Sequence, residues 1–326
     1  MTEGADLVSV IEAAYAAAPC EQAWLEGIVS SAVAAMGVPV SAFVMDASDP
    51  SAFRAGAVAV RGVPEEQPAQ MLSSTPSYPA SVVRRLFASS PQVALLSEVL
   101  AGIESSEGSA IRGEVQGFGI TDVVGIRGFG LDRRGVMLCP LLLAPRELPR
   151  TTRASLGRVA RHLATGYRLR SQRGQQPEAV LSPTGRVEHA EPCARDRRSL
   201  RELVEATNRI GVARGRLRRE SPDRAVELWR ALVSGRWSIV ETVERDGKRF
   251  LLARRNELGV AHARALTQSQ AEVLALAAAG HSNGAIAYEL GLSAARVSRA
   301  LREGLARLEL RSRAELLAHC GEEQTE

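Results

Sequence analysis

The apolar positions of this chain change period several times, and each change marks an element. Leu7, Val10, Ile11, Ala14 and Tyr15 recur at helical spacing. Pro19 and Cys20 interrupt, and Trp24, Leu25, Ile28, Val29, Ala32 and Val33 resume the same period. Gly37 and Pro39 predict the end of that second helix. Val40–Met45 and Ala55–Val63 read as strands around a polar turn with Asp46, Asp49 and Pro50. Helices are expected around Val82–Ala88 and Val93–Ile103, separated by loops rich in Ser, Pro and Gly. Residues 111–144 read as a meander punctuated by Gly117, Gly119, Gly125, Gly128 and Gly130, with Gly135–Ala144 as its buried strand. A long helix from about Leu148 to Gln172 carries Leu156, Val159, Ala160, Leu163 and Tyr167 as its apolar positions.

A second set of elements follows the linker SQRGQQPE, Ser171–Glu178. A hairpin is predicted over AVLSPTGRVEHAEPCA with Gly185 at its turn, then helices around Leu200–Val212 and Ala225–Ser234. A closing hairpin spans Ser238–Asn256. Val240, Thr242 and Val243 lead in, Asp246-Gly247 is the turn, and Phe250 and Leu252 alternate out. NELGVAHAR, Asn256–Arg264, is the second linker.

From Leu266 to about His319 the pattern is helical with very short breaks. Thr267 is the expected cap of a first helix, with Gln270 its capping-box partner and Leu266 outside as a staple. Val273, Leu274, Ala277 and Ala278 form its stripe, and Gly280 can close it. Ser282 caps a second helix that places Ile286 and Leu290 on one face. Gly291 and Leu292 make a tight break before Ser293 caps a third. That spacing is the spacing of a helix-turn-helix. In the third helix Val297, Leu301, Leu305 and Leu308 must be buried. Arg296, Arg299, Arg302 and Arg307 fall mostly elsewhere, a positive face for a major groove.

Charge changes this picture in one respect. Residues 1–149 hold 9 basic and 16 acidic side chains, residues 150–263 hold 25 and 13, and residues 264–326 hold 7 and 8. The acidic first part is a poor nucleic-acid binder. The basic middle is a phosphate-facing surface, a complement to the acidic part, or simply a solvated charged face. The chain has 326 residues, which predicts two or three domains. No apolar run is long enough for a membrane span, and Met1–Val10 lacks the features of a signal peptide. Cys20, Cys139, Cys193 and Cys320 are scattered without metal spacing, which fits free thiols in a cytoplasmic protein.

The C-terminal segment closely resembles the LuxR-type DNA-binding domain. The matching features are the opening LT, EVL at Glu272–Leu274, G-x-SN from Gly280 to Asn283, IA at Ile286 and Ala287, and LGLS from Leu290 to Ser293. Val297, RL at Arg307 and Leu308, and R-S-R-A-E-L from Arg311 to Leu316 complete the set. Gly284 and Ala285 depart from the family's charged pair. Arg296 and Ser298 replace its Thr and Lys, Ala300 its His, and Gly304 a large apolar residue. The resemblance implies a dimeric regulator of transcription without enzymatic activity. Its partners would be double-stranded DNA and a second copy, and RNA polymerase counts among the candidates. It puts base-edge contacts at Ser298, Arg299 and Arg302, with Ser282, Asn283, Ser293, Arg296 and Arg307 completing the DNA-binding set. Leu316 and Leu317 are the expected dimer contact. Arginine takes guanine bidentately, so a guanine-containing half-site is favoured, while Ser293 and the helix N-terminus suit phosphate.

The upstream elements resemble two sensor folds in element order. Residues 6–172 resemble a GAF domain, an α-β-α sandwich, and residues 178–256 resemble a short, degenerate PAS module of α/β type. With an all-α four-helix domain at 264–320, the expected fold class is α+β multidomain. Under this reading the sensor modules set the activity of the helix-turn-helix, with a small-molecule effector of unknown identity. The alternative is a constitutive dimeric regulator whose upstream modules are protein-interaction scaffolds.

Other chemistry is sparse. No phosphate-binding loop and no G-x-S-x-G elbow occurs, and Gly128-Phe129-Gly130 reads as turn chemistry. None of His162, His189, His262, His281 and His319 is spaced to share a metal with another His or Cys, so no metal and no cofactor is expected. His162 reads as a partly buried or surface residue of the long helix, Cys139 as a buried inert thiol, and Trp229 and Trp237 as packing residues.

Overall fold

A computed structural model describes residues 6–46, 54–64, 92–101, 106–130, 134–171, 177–229, 237–243, 249–255, 266–278, 282–290, 292–308 and 310–322. Helices α1 (Leu7–Tyr15) and α2 (Glu21–Met36) form where the helical period predicts them, and Gly37 ends α2 in the left-handed conformation. Strands β1 (Val40–Asp46) and β2 (Arg54–Arg61) follow. Then come β3 (Val93–Leu95), α3 (Leu96–Leu100), α4 (Ser106–Gly117), β4 (Asp122–Phe129), β5 (Arg134–Leu142) and α5 (Arg150–Ser171). The five strands make one antiparallel sheet in the order β2-β1-β5-β4-β3.

Two expectations are corrected here. The helix expected from Val93 starts three residues later, because Val93 and Leu95 pair with Ile126 and Val124 and bury on the helical side of the sheet. The meander expected from residue 111 starts at β4. Ile111 and Val115 lie four apart on α4, a helical spacing that the nearby glycines obscured. The helix expected at Val82–Ala88 lies outside the described residues, as does the Asp246-Gly247 turn.

Both faces of this sheet are buried. Val40, Ala42 and Val44 of β1, with Val136 and Leu138 of β5, join the core under α1, α2 and α5. The alternate residues Met45, Met137 and Cys139 form a second cluster with Leu100 and Ile111. Burial pushes the Cys139 thiol up to about 12, against a hydrogen bond with Ser41 on the neighbouring strand that lowers it. At neutral pH this thiol is therefore protonated and inert.

Helix α5 is enclosed from two sides. A Cβ on Gly128 would lie 2.5 Å from Leu163 Cβ, so Gly128 is where α5 rests on β4 rather than a turn residue. On the other side a Cβ on Gly166 would lie 2.3 Å from the carbonyl oxygen of Ala14 in α1. Between these helices Tyr15 Oη and His162 Nδ1 are 2.9 Å apart and fully buried. Burial depresses the histidine to about 3, and it raises the tyrosine, so both are neutral. His162 is therefore a core residue, not the partly exposed one expected.

The middle elements are β6 (Ala179–Leu181), β7 (Val187–Ala190), a 3₁₀ turn at Pro192–Ala194, α6 (Arg197–Arg214), α7 (Leu217–Glu220), α8 (Pro222–Trp229), β8 (Trp237–Val243) and β9 (Arg249–Arg255). Their antiparallel sheet has the order β7-β6-β9-β8. Both sheets run the same circuit: an opening hairpin, helices, then a closing pair whose last strand returns beside the first. The two modules do not have separate interiors. Leu203 and Ile210 of α6, Ala225 and Val226 of α8, and Leu251 of β9 belong to the same buried cluster as α1, α2 and α5.

The last four helices are α9 (Gln268–Ala278), α10 (Asn283–Leu290), α11 (Ala294–Arg307) and α12 (Arg313–Glu322). They enclose a cluster of their own, built on Leu266, Val273, Leu274, Ile286, Val297, Leu305, Leu308 and Leu316. Among the described residues, no helix is long and apolar enough to cross a membrane.

Candidate nucleic-acid interface

The first helix of the C-terminal domain is started by the expected capping box. Thr267 Oγ1 accepts from the Gln270 amide at 3.3 Å, and Gln270 Oε1 accepts from the Thr267 amide at 3.0 Å. Gln270 does more than its sequence position signals. It is buried at 3 % exposure; its Nε2 donates to Glu303 Oε2 at 3.0 Å, and Arg307 Nη1 donates to its Oε1 at 3.0 Å. One side chain thus ties the start of α9 to the second half of α11. A second cap, unread in the sequence, starts α12: Glu315 N donates to Ser312 Oγ, and Arg311 N, one residue ahead of the cap, donates to Glu315 Oε2. The S-x-x-E spacing was its signal.

Helix α11 starts at Ser293, whose Oγ accepts from the Arg296 amide at 3.3 Å. Its inner face is set by Val297, Ala300, Gly304 and Leu305, all buried. A Cβ on Gly304 would stand 2.7 Å from Leu274 Cδ1, so the absence of a side chain there lets α11 lie close against α9. With that face held down, Arg296, Ser298, Arg299 and Arg302 are exposed. Arg299 and Arg302 lie opposite Val297 and Gly304 on the helix, and among the described residues nothing engages their side chains. Ser298 sits towards α10, where Asn283 Nδ2 donates to its Oγ at 3.5 Å. Ser282 is exposed just ahead of α10, and Asn283 is half-buried at its start. The exposed starts of α10 and α11 and the outer face of α11 therefore form one surface.

Two expected site residues stand elsewhere. Arg307 is exposed, but its guanidinium is held by Gln270, so it braces α11 against α9. Leu316 is fully buried in the domain core and offers nothing to a partner, which leaves Leu317 alone exposed, at 42 %. Arg313 was not singled out in the sequence; its Nη2 donates to the carbonyl oxygen of Ala277 and completes the C-terminal end of α9.

The sequence of this segment has a match among known families. Residues 264–320 match the model of the bacterial regulatory proteins, luxR family. The segment is thus similar to LuxR-type helix-turn-helix domains. DNA-binding regulation of transcription is the function that this family supports for the chain. The match covers the last four helices and says nothing of the two sheets. No curated protein matches the chain. Among the described residues, no group of His, Cys, Asp and Glu could hold a metal ion.

Proposed function

We propose that the protein is a dimeric, sequence-specific DNA-binding regulator whose α11 enters the major groove. Arg299 and Arg302 read base edges, Ser298 and Arg296 flank them, and Ser282, Asn283 and Ser293 lie along the phosphates. The observation that carries this reading is the exposed arginine pair on the outer face of a helix whose inner face is locked by Val297, Gly304 and Leu305. Leu317 is the dimer contact in this reading, with half-sites about one helical turn apart. Upstream, the two sheets act as GAF-like and PAS-like modules that set the activity of the domain in the cytoplasm. Their shared circuit of strands, with helices against the sheets, supports that reading.

Enrichment of bound duplexes from a random-sequence pool by the full chain tests it. The expected product is a two-fold symmetric, guanine-containing site. The variant Arg299→Ala with Arg302→Ala should bind that site about 100-fold more weakly, since a good bidentate contact discriminates by about 1–3 kcal/mol. Unchanged affinity of the variant would remove α11 from the groove.

A further inference from the structure

We propose that α1 is the coupling element of the upstream modules: a charge latch that holds α6, α7 and α8 of the middle module on the N-terminal module. Asp6 occupies the N-cap of α1, yet its carboxylate makes no cap hydrogen bond. Both of its oxygens are taken by Arg218 of α7, with Nε to Oδ1 at 2.8 Å and Nη2 to Oδ2 at 2.6 Å. Glu12 divides its carboxylate between Arg218 Nη1 at 3.1 Å and Arg214 Nε at 2.9 Å. The four carboxylate oxygens of Asp6 and Glu12 thus face Arg214, the last residue of α6, and Arg218 of α7. These side chains are 26–43 % exposed, so dissolved salt reaches them.

α1 carries two kinds of hold, buried apolar packing and half-exposed ion pairs. Towards the N-terminal module its hold is apolar and buried: Leu7, Val8, Val10, Ile11, Ala14 and Tyr15 are all core residues, and Tyr15 meets His162 inside. Trp24 Nε1 also donates to the Ala14 carbonyl oxygen at 3.0 Å. Towards the middle module α1 adds the arginine pairs to an apolar core that both modules share, and Ser155 of α5 also donates to Asp223 of α8 across the joint. The fully buried apolar side chains that α8 brings to this core are small, Ala225 and Val226. When the joint opens, α1 stays with α2 and α5, and the ion pairs part together with the apolar contacts of α6 and α8. What it frees is the helical cover of the sheet containing β9, the last strand before the segment that leads to α9. A change in the N-terminal module then reaches the DNA-binding domain as a change in how firmly its root is held.

Hydrogen exchange of the full chain tests the latch. Arg218→Glu should speed exchange of amides in residues 217–229 by about tenfold or more while leaving those of β4 and β5 within about twofold. Adding Asp6→Arg, which restores a pair of reversed sign, should recover most of the protection. Unchanged exchange in 217–229, an equal rise in β4 and β5, or no recovery in the double variant would each overturn the proposal. If Arg218→Glu does not fold, the unmodified chain gives the same test. Raising sodium chloride from about 0.05 M to about 0.5 M should speed exchange in 217–229 and spare β4 and β5; a salt-independent ratio would overturn the latch.

Discussion

Residues 266–322 and the α/β unit before them are both short elements around a buried cluster, yet they place their arginines differently. In the upstream unit three arginines are held half-buried by acids of the N-terminal module, Arg153 by Glu98, Arg214 by Glu12 and Arg218 by Asp6 and Glu12, while others such as Arg201 and Arg224 are exposed along its surface. In the C-terminal domain Arg307 and Arg313 are likewise used in bracing, but Arg299 and Arg302 stand on the outside of α11. The difference teaches where to look for a ligand. The basic surplus of residues 150–263 is in part the complement of the acidic N-terminal region, whereas a segment with 7 basic and 8 acidic side chains gathers Arg296, Arg299 and Arg302 on one helix. On the function proposed above, position and not net charge marks the surface offered to DNA.

The comparison can be broken by disturbing one cluster at a time. The largest effect is expected from Gly166→Val, whose Cβ would meet the Ala14 carbonyl at 2.3 Å. It should cost about 3 kcal/mol or more in the upstream transition and leave that of residues 266–322 unmoved in a calorimetric scan. Gly304→Ile is the mirror experiment, with Leu274 Cδ1 at 2.7 Å from the new Cβ. About 2 kcal/mol should be lost from the C-terminal transition alone. Equal losses in both transitions from either variant would show that the two clusters fold as one.

Gln270→Ala removes a cap and the anchor of Glu303 and Arg307 together, at a cost of about 1–2 kcal/mol to the C-terminal domain. The same variant should weaken DNA binding severalfold without changing the preferred site, because α11 is loosened and not rewritten.

A smaller, upstream-only effect is expected with pH. His162 titrates at about 3 when folded and near 6.5 when unfolded, so between these values the unfolded chain binds the extra proton. Stability should therefore fall as pH drops below about 6.5, by on the order of 1 kcal/mol per pH unit, and His162→Gln should flatten that slope in denaturant titrations at pH 5 to 7. The smallest effect concerns the thiols. Cys20 and Cys193 are exposed and Cys139 is buried, so alkylation of the native chain should modify the first two and spare the third without shifting either transition.

How legible each part was in the sequence follows from the range of its interactions. The C-terminal domain is written locally. Thr267 with Gln270, and Ser293 with Arg296, are contacts three residues apart, and the stripe of Val297, Leu301, Leu305 and Leu308 repeats within one helix. The opening helices, the strands β1, β2 and β5, and the hairpin turning at Gly185 were legible for the same reason. Elements whose identity depends on a distant neighbour were not. Val93–Leu95 became a strand because β4 lay open beside it, and the glycines around α4 hid a helix that packs Ile111 on the sheet.

The sequence by itself determined the helix-turn-helix, the caps at Thr267 and Ser293, the core face of α11 and the outward placing of Arg296, Arg299 and Arg302, because each rests on periodicity or on a bond to the next turn. Only the tertiary structure decided what those side chains are free to do. It set Arg307 on Gln270, sank Leu316 into the core, buried His162 against Tyr15, and joined two modules through Asp6, Glu12, Arg214 and Arg218. These partners lie between 37 and more than 200 positions apart. No period encodes such a pairing; it exists once the close approaches at Gly128, Gly166 and Gly304 have brought the helices to their places.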